Sequence, residues 1–154
     1  MLIQLTVNGR NHEILCPADE YLADTLRNLG YLSVRQGCDT GSCGACTIHM
    51  NGIAILSCAT LAAKAHGKKI TTIEGVQKQA EKIGNLLVDE GADQCGYCSS
   101  GLIMNILYLE SVVSNPTDAE IKLYLNGNLC RCTGYAGQFR AVKRYFEVKA
   151  YENS

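Results

Sequence analysis

Nine cysteines stand in a chain of 154 residues, and their spacing is the first feature that could do chemistry. Cys38, Cys43 and Cys46 follow the pattern C-x4-C-x2-C, and Cys58 comes after a further spacer of eleven residues. Proteins use this spacing to hold a two-iron, two-sulfur cluster. The stretch "GCDTGSCGAC" suits the task. Three thiolates must wrap a small cluster, so the backbone must curl tightly, and Gly37, Gly41 and Gly44 permit positive φ and close approach. Four thiolates make the cluster anionic, and N–H groups of such a loop can donate to the sulfurs. Zinc sites use paired C-x2–4-C units instead. A site with two histidine ligands is disfavoured, because His49 alone lies nearby and sits on a strand-like segment. His12 and His66 read as surface residues.

The second group is Cys95 and Cys98 in "DQCGYCSSG" and Cys130 and Cys132 in "GNLCRCTGY". The first pair precedes a helix, whose N-terminus favours thiolate over thiol. Four thiols suit a second cluster or one zinc ion. A thioredoxin-like redox pair at Cys95 and Cys98 is a third reading, but its βαβ context is missing. Spacing alone leaves these open. Cys16, just before Pro17, reads as a buried structural thiol.

The wider composition bounds the answer. The apolar fraction is 47% and the charged fraction 19%, as in folded globular proteins. A net charge of −1 gives no argument for nucleic-acid binding or for anionic membranes. No apolar run approaches the roughly 18 residues of a membrane span. The N-terminus lacks a basic stretch followed by an apolar one, so a cytoplasmic protein is expected. In a reducing compartment, cysteines serve as metal ligands or catalytic thiols rather than as disulfides. No G-x-G-x-x-G fingerprint appears.

The elements that must position these thiols divide the chain. "LIQLTV" and "HEILC" around Asn8-Gly9 predict a hairpin, as do "TIHM" and "IAIL" around Asn51-Gly52. Leu22, Leu26 and Leu29 recur at helical spacing, with Gly30 as a stop. "KKITTIE" reads as a last strand. The second half is helical. A helix runs to Gly91, and another begins near Gly101 and ends before Asn115-Pro116. A third opens on the capping-box pattern of Thr117 and Glu120, and a last amphipathic one carries Phe139, Val142, Tyr145 and Phe146.

"GCDTGSCGACTI", "QCGYCSSGLIM" and "GNLCRCTGY", in this order, resemble the iron–sulfur subunit of the molybdenum hydroxylases. That family includes xanthine dehydrogenase, aldehyde oxidoreductase and carbon monoxide dehydrogenase. The resemblance covers almost the whole chain. It implies an α+β fold: an N-terminal β-grasp, plant-type ferredoxin-like domain over residues 1–75 and a C-terminal four-helix bundle over 76–154. Each would hold one [2Fe-2S] cluster. Cys38, Cys43, Cys46 and Cys58 would hold the cluster nearer a flavin. Cys95, Cys98, Cys130 and Cys132 would hold the one nearer molybdenum, with Gln94 and Cys132 close to the molybdopterin.

The resemblance further implies electron transfer inside a larger enzyme, with no catalytic residue on this chain. Molybdopterin would lie on a large partner subunit and FAD on a medium one, in a dimer of heterotrimers with apolar docking surfaces. The substrate would be a purine, another N-heterocycle or an aldehyde, with a xanthine dehydrogenase-like activity favoured. A free-standing two-cluster ferredoxin-type carrier is the alternative, but such carriers are strongly acidic and a charge of −1 does not suit one. Two departures stand out. Ser99-Ser100 replaces the family's usual Thr-Pro, so a less rigid helix entry is expected, and Asn126 replaces Ser or Ala. Neither removes a ligand.

Overall fold

The computed structural model describes residues 1–152; the last two residues of the expected helical domain, Asn153 and Ser154, lie outside the described residues. Strands β1 (Leu2–Val7) and β2 (Arg10–Leu15) pair antiparallel from Leu2↔Leu15 to Val7↔Arg10. Strands β3 (Thr47–Met50) and β4 (Ile53–Leu56) form the second hairpin. Both Asn-Gly pairs have positive φ at both residues, which matches the right-handed twist of the strands they join. β5 (Lys69–Thr71) lies between the hairpins, parallel to β1 and antiparallel to β3, giving the order β2-β1-β5-β3-β4.

Helix α1 (Leu22–Asn28) is clasped by this sheet, as in a β-grasp. Ile3, Leu5 and Val7 alternate inward along β1 and join Leu22, Leu26, Ile48 and Ile70 in one core. Gly30, at φ 93°, ends α1. Its N–H bonds Arg27 and the Tyr31 N–H bonds Leu26, so the last carbonyls are satisfied.

The last strand is shorter than "KKITTIE" suggests, because side chains take over the ladder. Asn8 accepts the Thr72 N–H at 3.0 Å and donates to the Thr72 hydroxyl at 2.8 Å. The backbone then turns through a short 3-10 helix, Ile73–Gly75. There the Glu74 carboxylate accepts from the Ser33 N–H at 3.1 Å, from the Ser33 hydroxyl at 2.6 Å and from the Thr72 hydroxyl.

Four helices follow: α2 (Gln77–Asp89), α3 (Ser99–Val112), α4 (Asp118–Leu125) and α5 (Ala136–Glu152). Ile83, Leu87, Leu102, Ile106, Leu109, Ile121, Val142 and Tyr145 form the second core. The capping box closes in both directions between Thr117 and Glu120. Phe139 packs only partly buried against this core, while Val142, Tyr145 and Phe146 are inside it.

α3 begins at Ser99, directly after Cys98, and is apolar nearly all round. Such a helix must be covered on more than one side. Here the other helices cover one side and β3 another, where the His49 Nε2 lies 2.7 Å from the Met104 carbonyl. The closest approach is backbone to backbone. A Cβ on Gly101 would run into the Gly44 carbonyl, and one on Gly44 into the Gly127 carbonyl.

Gly84→Ala, in open space on α2, should stabilise by about 0.5–1 kcal/mol through helix propensity. Gly101→Ala, on a helix too, should instead destabilise by about 1–3 kcal/mol, because the methyl has no room. The unfolding midpoints of the two variants check the opposite signs. For Glu74, burial raises the carboxyl pKa, but the Ser33 and Thr72 donors outweigh it and hold the group below its ordinary value. Stability from a depressed carboxyl is present above the unfolded value, about 4.3, and is lost as pH falls through the folded one. Glu74→Gln should therefore cost about 0.5–1.5 kcal/mol at pH 7, since solvent screens a half-exposed carboxylate, and the difference from wild type should shrink below about pH 4 in unfolding measurements.

Candidate metal centres

The first centre is built on the loop between α1 and β3. Gly41 and Gly44 have positive φ, and a Cβ at Gly37 would stand only 3.2 Å from the Cys43 Sγ. The loop turns its N–H groups onto sulfur: Cys38 Sγ accepts from Ser42 at 3.3 Å and from Cys43 at 3.4 Å. The N–H groups of Cys43, Thr40 and Ser42 bring the Cys38 thiol down to about 6. Cys46 precedes β3, and Cys58 lies in a 3-10 helix after β4, Ser57–Ala59. Ser57 binds the Cys46 carbonyl through its hydroxyl at 2.8 Å, and the Cys46 and Cys58 sulfurs stand 3.2 Å apart. Burial raises the Cys43 thiol. Burial, then the neighbouring Cys46 thiol, pushes Cys58 up to about 12.

The second centre joins two loops of the bundle. Cys95 and Cys98 flank Gly96, at φ 69°, and the Tyr97 N–H points to Cys95 Sγ at 3.5 Å. Cys130 and Cys132 lie between α4 and α5. Cys98 packs against Cys130 as a half-buried inner pair, and Cys95 against Cys132 as an exposed outer pair. Cys98 Sγ accepts from Gln138 at 3.6 Å, and Cys130 Sγ from the Thr133 hydroxyl at 3.2 Å. Burial, then Cys130, pushes the Cys98 thiol up to about 11. Burial also works to raise Cys130, but Thr133 and the N–H groups of Cys132 and Thr133 bring it down on balance. Hydrogen bonding with Cys95 raises Cys132. All four sulfurs line a cavity of about 360 Å³, and Cys43 of the first centre lies in its wall.

Each quartet therefore stands as two pairs: Cys38 with Cys43, Cys46 with Cys58, Cys95 with Cys132, and Cys98 with Cys130. Two pairs fit two irons, each taking two thiolates, better than one tetrahedral zinc. Buried thiols that resist ionisation also fit a cation, whose charge deprotonates a coordinating thiol outright.

The other singled-out residues fall as follows. Gln94 is exposed next to Cys95. Cys16 is buried in the first core. His12 lies 3.1 Å from the Tyr31 hydroxyl, and His66 accepts the Gln4 N–H at 3.1 Å. The helix entry at Ser99-Ser100 is tied down rather than loosened. Ser99 donates to Asp93 at 3.1 Å and Ser100 to the Ser33 carbonyl at 2.8 Å. Asn126 is the exposed C-cap of α4.

Of the two glycines around Cys130 and Cys132, only Gly134 needs its freedom. The second left-handed residue is Tyr135, at φ 69°, whose hydroxyl accepts the Cys130 N–H at 3.1 Å. A bulky side chain in that conformation is a local strain held by its surroundings. Asn128 and Gln138, both buried, were also not legible as site residues. Asn128 receives Asn105 Nδ2 at 2.8 Å and reaches the Gly44 carbonyl at 3.5 Å. No local pattern marks such residues, because their partners are distant in sequence.

Comparison with known proteins agrees with this geometry. Residues 5–70 match a family described as a 2Fe-2S iron-sulfur cluster binding domain, and residues 72–143 one described as a [2Fe-2S] binding domain. The chain is 40% identical to the nicotinate dehydrogenase small FeS subunit of Eubacterium barkeri, over 92% of each chain. It is 44% identical to the xanthine dehydrogenase iron-sulfur-binding subunit of Escherichia coli O157:H7, over 86% of each. Its fold matches a chain in the crystal structure of quinoline 2-oxidoreductase from Pseudomonas putida 86 with a TM-score of 0.89 and 33% identity. That match covers 100% of this chain and 97% of the other. Two cysteine quartets, each in the domain type that binds a two-iron cluster, and similarity over nearly the full length of both chains lead to one conclusion: the chain belongs to the family of small iron–sulfur subunits of the molybdenum hydroxylases.

Proposed function

We propose that this chain carries single electrons from a molybdopterin centre on a large partner subunit to FAD on a medium one. The cofactors of the chain itself are two [2Fe-2S] clusters, which supply one-electron redox chemistry when bound. Cys95, Cys98, Cys130 and Cys132 hold the cluster that receives the electron. Cys38, Cys43, Cys46 and Cys58 hold the one that passes it on. The domains divide at 75/76. The observation that carries this reading is the position of Cys43, in the wall of the cavity lined by the second quartet. It puts a ligand of one centre against the other.

The order of the path is supported by exposure. Cys95 and Cys132, with Gln94 alongside, form the open end of the second centre, and Cys98 and Cys130 lie deeper. An external pterin can approach only the open pair. Apolar side chains left outside support docking on both domains. Leu2 and Leu15 face each other across the first hairpin and are both exposed, as are Leu129 and Tyr135 beside the last cysteine pair. The complex is a cytoplasmic dimer of heterotrimers that hydroxylates a purine, another N-heterocycle or an aldehyde, a purine by preference. Names of relatives that carry nicotinate, xanthine and quinoline support the ring class.

Isolation of the chain with its natural partners tests the assignment. The expected product is brown, holds about four iron per copy of this chain, and brings two larger subunits with it. A colourless zinc protein would sink the cluster reading. A brown protein running alone at 16.7 kDa would leave the free-standing carrier. Cys43→Ser should disturb one EPR signal of the reduced chain and spare the other, and Cys130→Ser should do the converse. Loss of both signals in each folded variant would refute the division into two quartets.

A further inference from the structure

Two side chains that no ligand assignment uses interlock the loops of the two centres. Arg35 stands three residues before Cys38, and its Nη1 donates to the Gly96 carbonyl, in the turn between Cys95 and Cys98. Tyr97 sits in that same turn, and its hydroxyl donates back to the Gln36 carbonyl at 2.8 Å. The Arg35 guanidinium lies over the Tyr97 ring, 5.3 Å from its centroid. The ring edge closes the gap to the first loop: Cε1 would lie 3.5 Å from a Cβ on Gly37, the same point that Cys43 Sγ approaches. Each loop thus donates one hydrogen bond to the backbone of the other. A phenylalanine would pack as well as the tyrosine, so the hydroxyl does more than fill space.

We propose that Arg35 and Tyr97 are positioning residues that clamp the two cysteine loops together and so set the coupling between the two centres. The proposal rests on the reading of both quartets as [2Fe-2S] sites. Coupling between two redox centres falls steeply with separation; the Gly44 contacts hold the domains together, and the meeting of residues 35–37 with residues 96–97 sets the fit of the two cysteine loops within that seam. The guanidinium also places a fixed positive charge beside the second quartet. Such a charge favours the reduced, more negative state of an anionic cluster and raises its potential.

The test uses the chain with the subunits that copurify with it, read by low-temperature EPR and by redox titration. In wild type, two reduced centres in contact should split each other's signals. Tyr97→Ala and Arg35→Gln should keep both signals and lose part of the splitting. Arg35→Gln should also lower the potential of the helical-domain centre, while Arg35→Lys should hold that potential and still alter the splitting, since it lacks the planar contact. If Tyr97→Ala does not load, Tyr97→Phe, missing only the hydroxyl, should still shift the splitting. Splitting and potentials identical to wild type in the loaded variants would overturn the clamp. A wild-type chain without two EPR signals is a different outcome: it overturns the cluster reading and the clamp together.

Discussion

The contact on which the rest depends is the Gly44 peptide. Its carbonyl faces the first turn of α3 at Gly101, and its Cα faces the Gly127 carbonyl. The Thr47 hydroxyl takes the same carbonyl at 2.7 Å, and the Leu129 N–H takes that of Cys43 at 2.9 Å. One tight turn of the first cysteine loop therefore packs against both chain segments that carry the second quartet. Any Cβ at Gly44 or Gly101 would force these backbones apart. The two hydrophobic cores are separate, so this seam and the α3–β3 packing hold one centre against the other.

Electrostatics within each centre follows from the same crowding. Burial raises the thiols of Cys43, Cys58 and Cys98. Cys38 escapes because its loop spends three N–H groups on one sulfur. The first quartet thus presents one thiolate-prone sulfur, Cys38, beside two thiols, Cys43 and Cys58, that burial raises. A bound cation would ionise these raised thiols, since its charge deprotonates a coordinating thiol.

What was legible in the sequence is what neighbours in the chain decide. The Asn8-Gly9 and Asn51-Gly52 turns, the stops at Gly30 and Gly91, and the Thr117–Glu120 cap each need only residues within a few positions. The cysteine spacings belong to the same class, because a loop of given length can wrap a cluster in few ways. The missed features lie in pairings that no local pattern marks, most of them far apart in sequence. β5 ends early because Asn8, 64 positions away, captures Thr72. Tyr135 is left-handed where its hydroxyl takes the Cys130 N–H, five positions back across the cysteine turn. Gly101 reads as a poor helix residue until Gly44 is placed against it.

The replacement at Ser99-Ser100 shows how such distant partners reverse a local expectation. Proline in the first turn of a helix stiffens the entry by fixing φ. Serine has no such constraint, so a looser entry is the natural inference. The two hydroxyls instead make external bonds: Ser99 holds the Asp93 side chain, and Ser100 crosses to the Ser33 carbonyl of the first domain. Ser33 in turn gives its N–H and hydroxyl to Glu74, which fixes the connector leading into α2. A chain of bonds thus runs from the helix beside Cys98, through the first domain, to the link between the halves. A proline at position 100 could stiffen the turn, but it could not donate to Ser33. The rigidity here is tertiary rather than local, and it acts on the same seam that Gly44 closes.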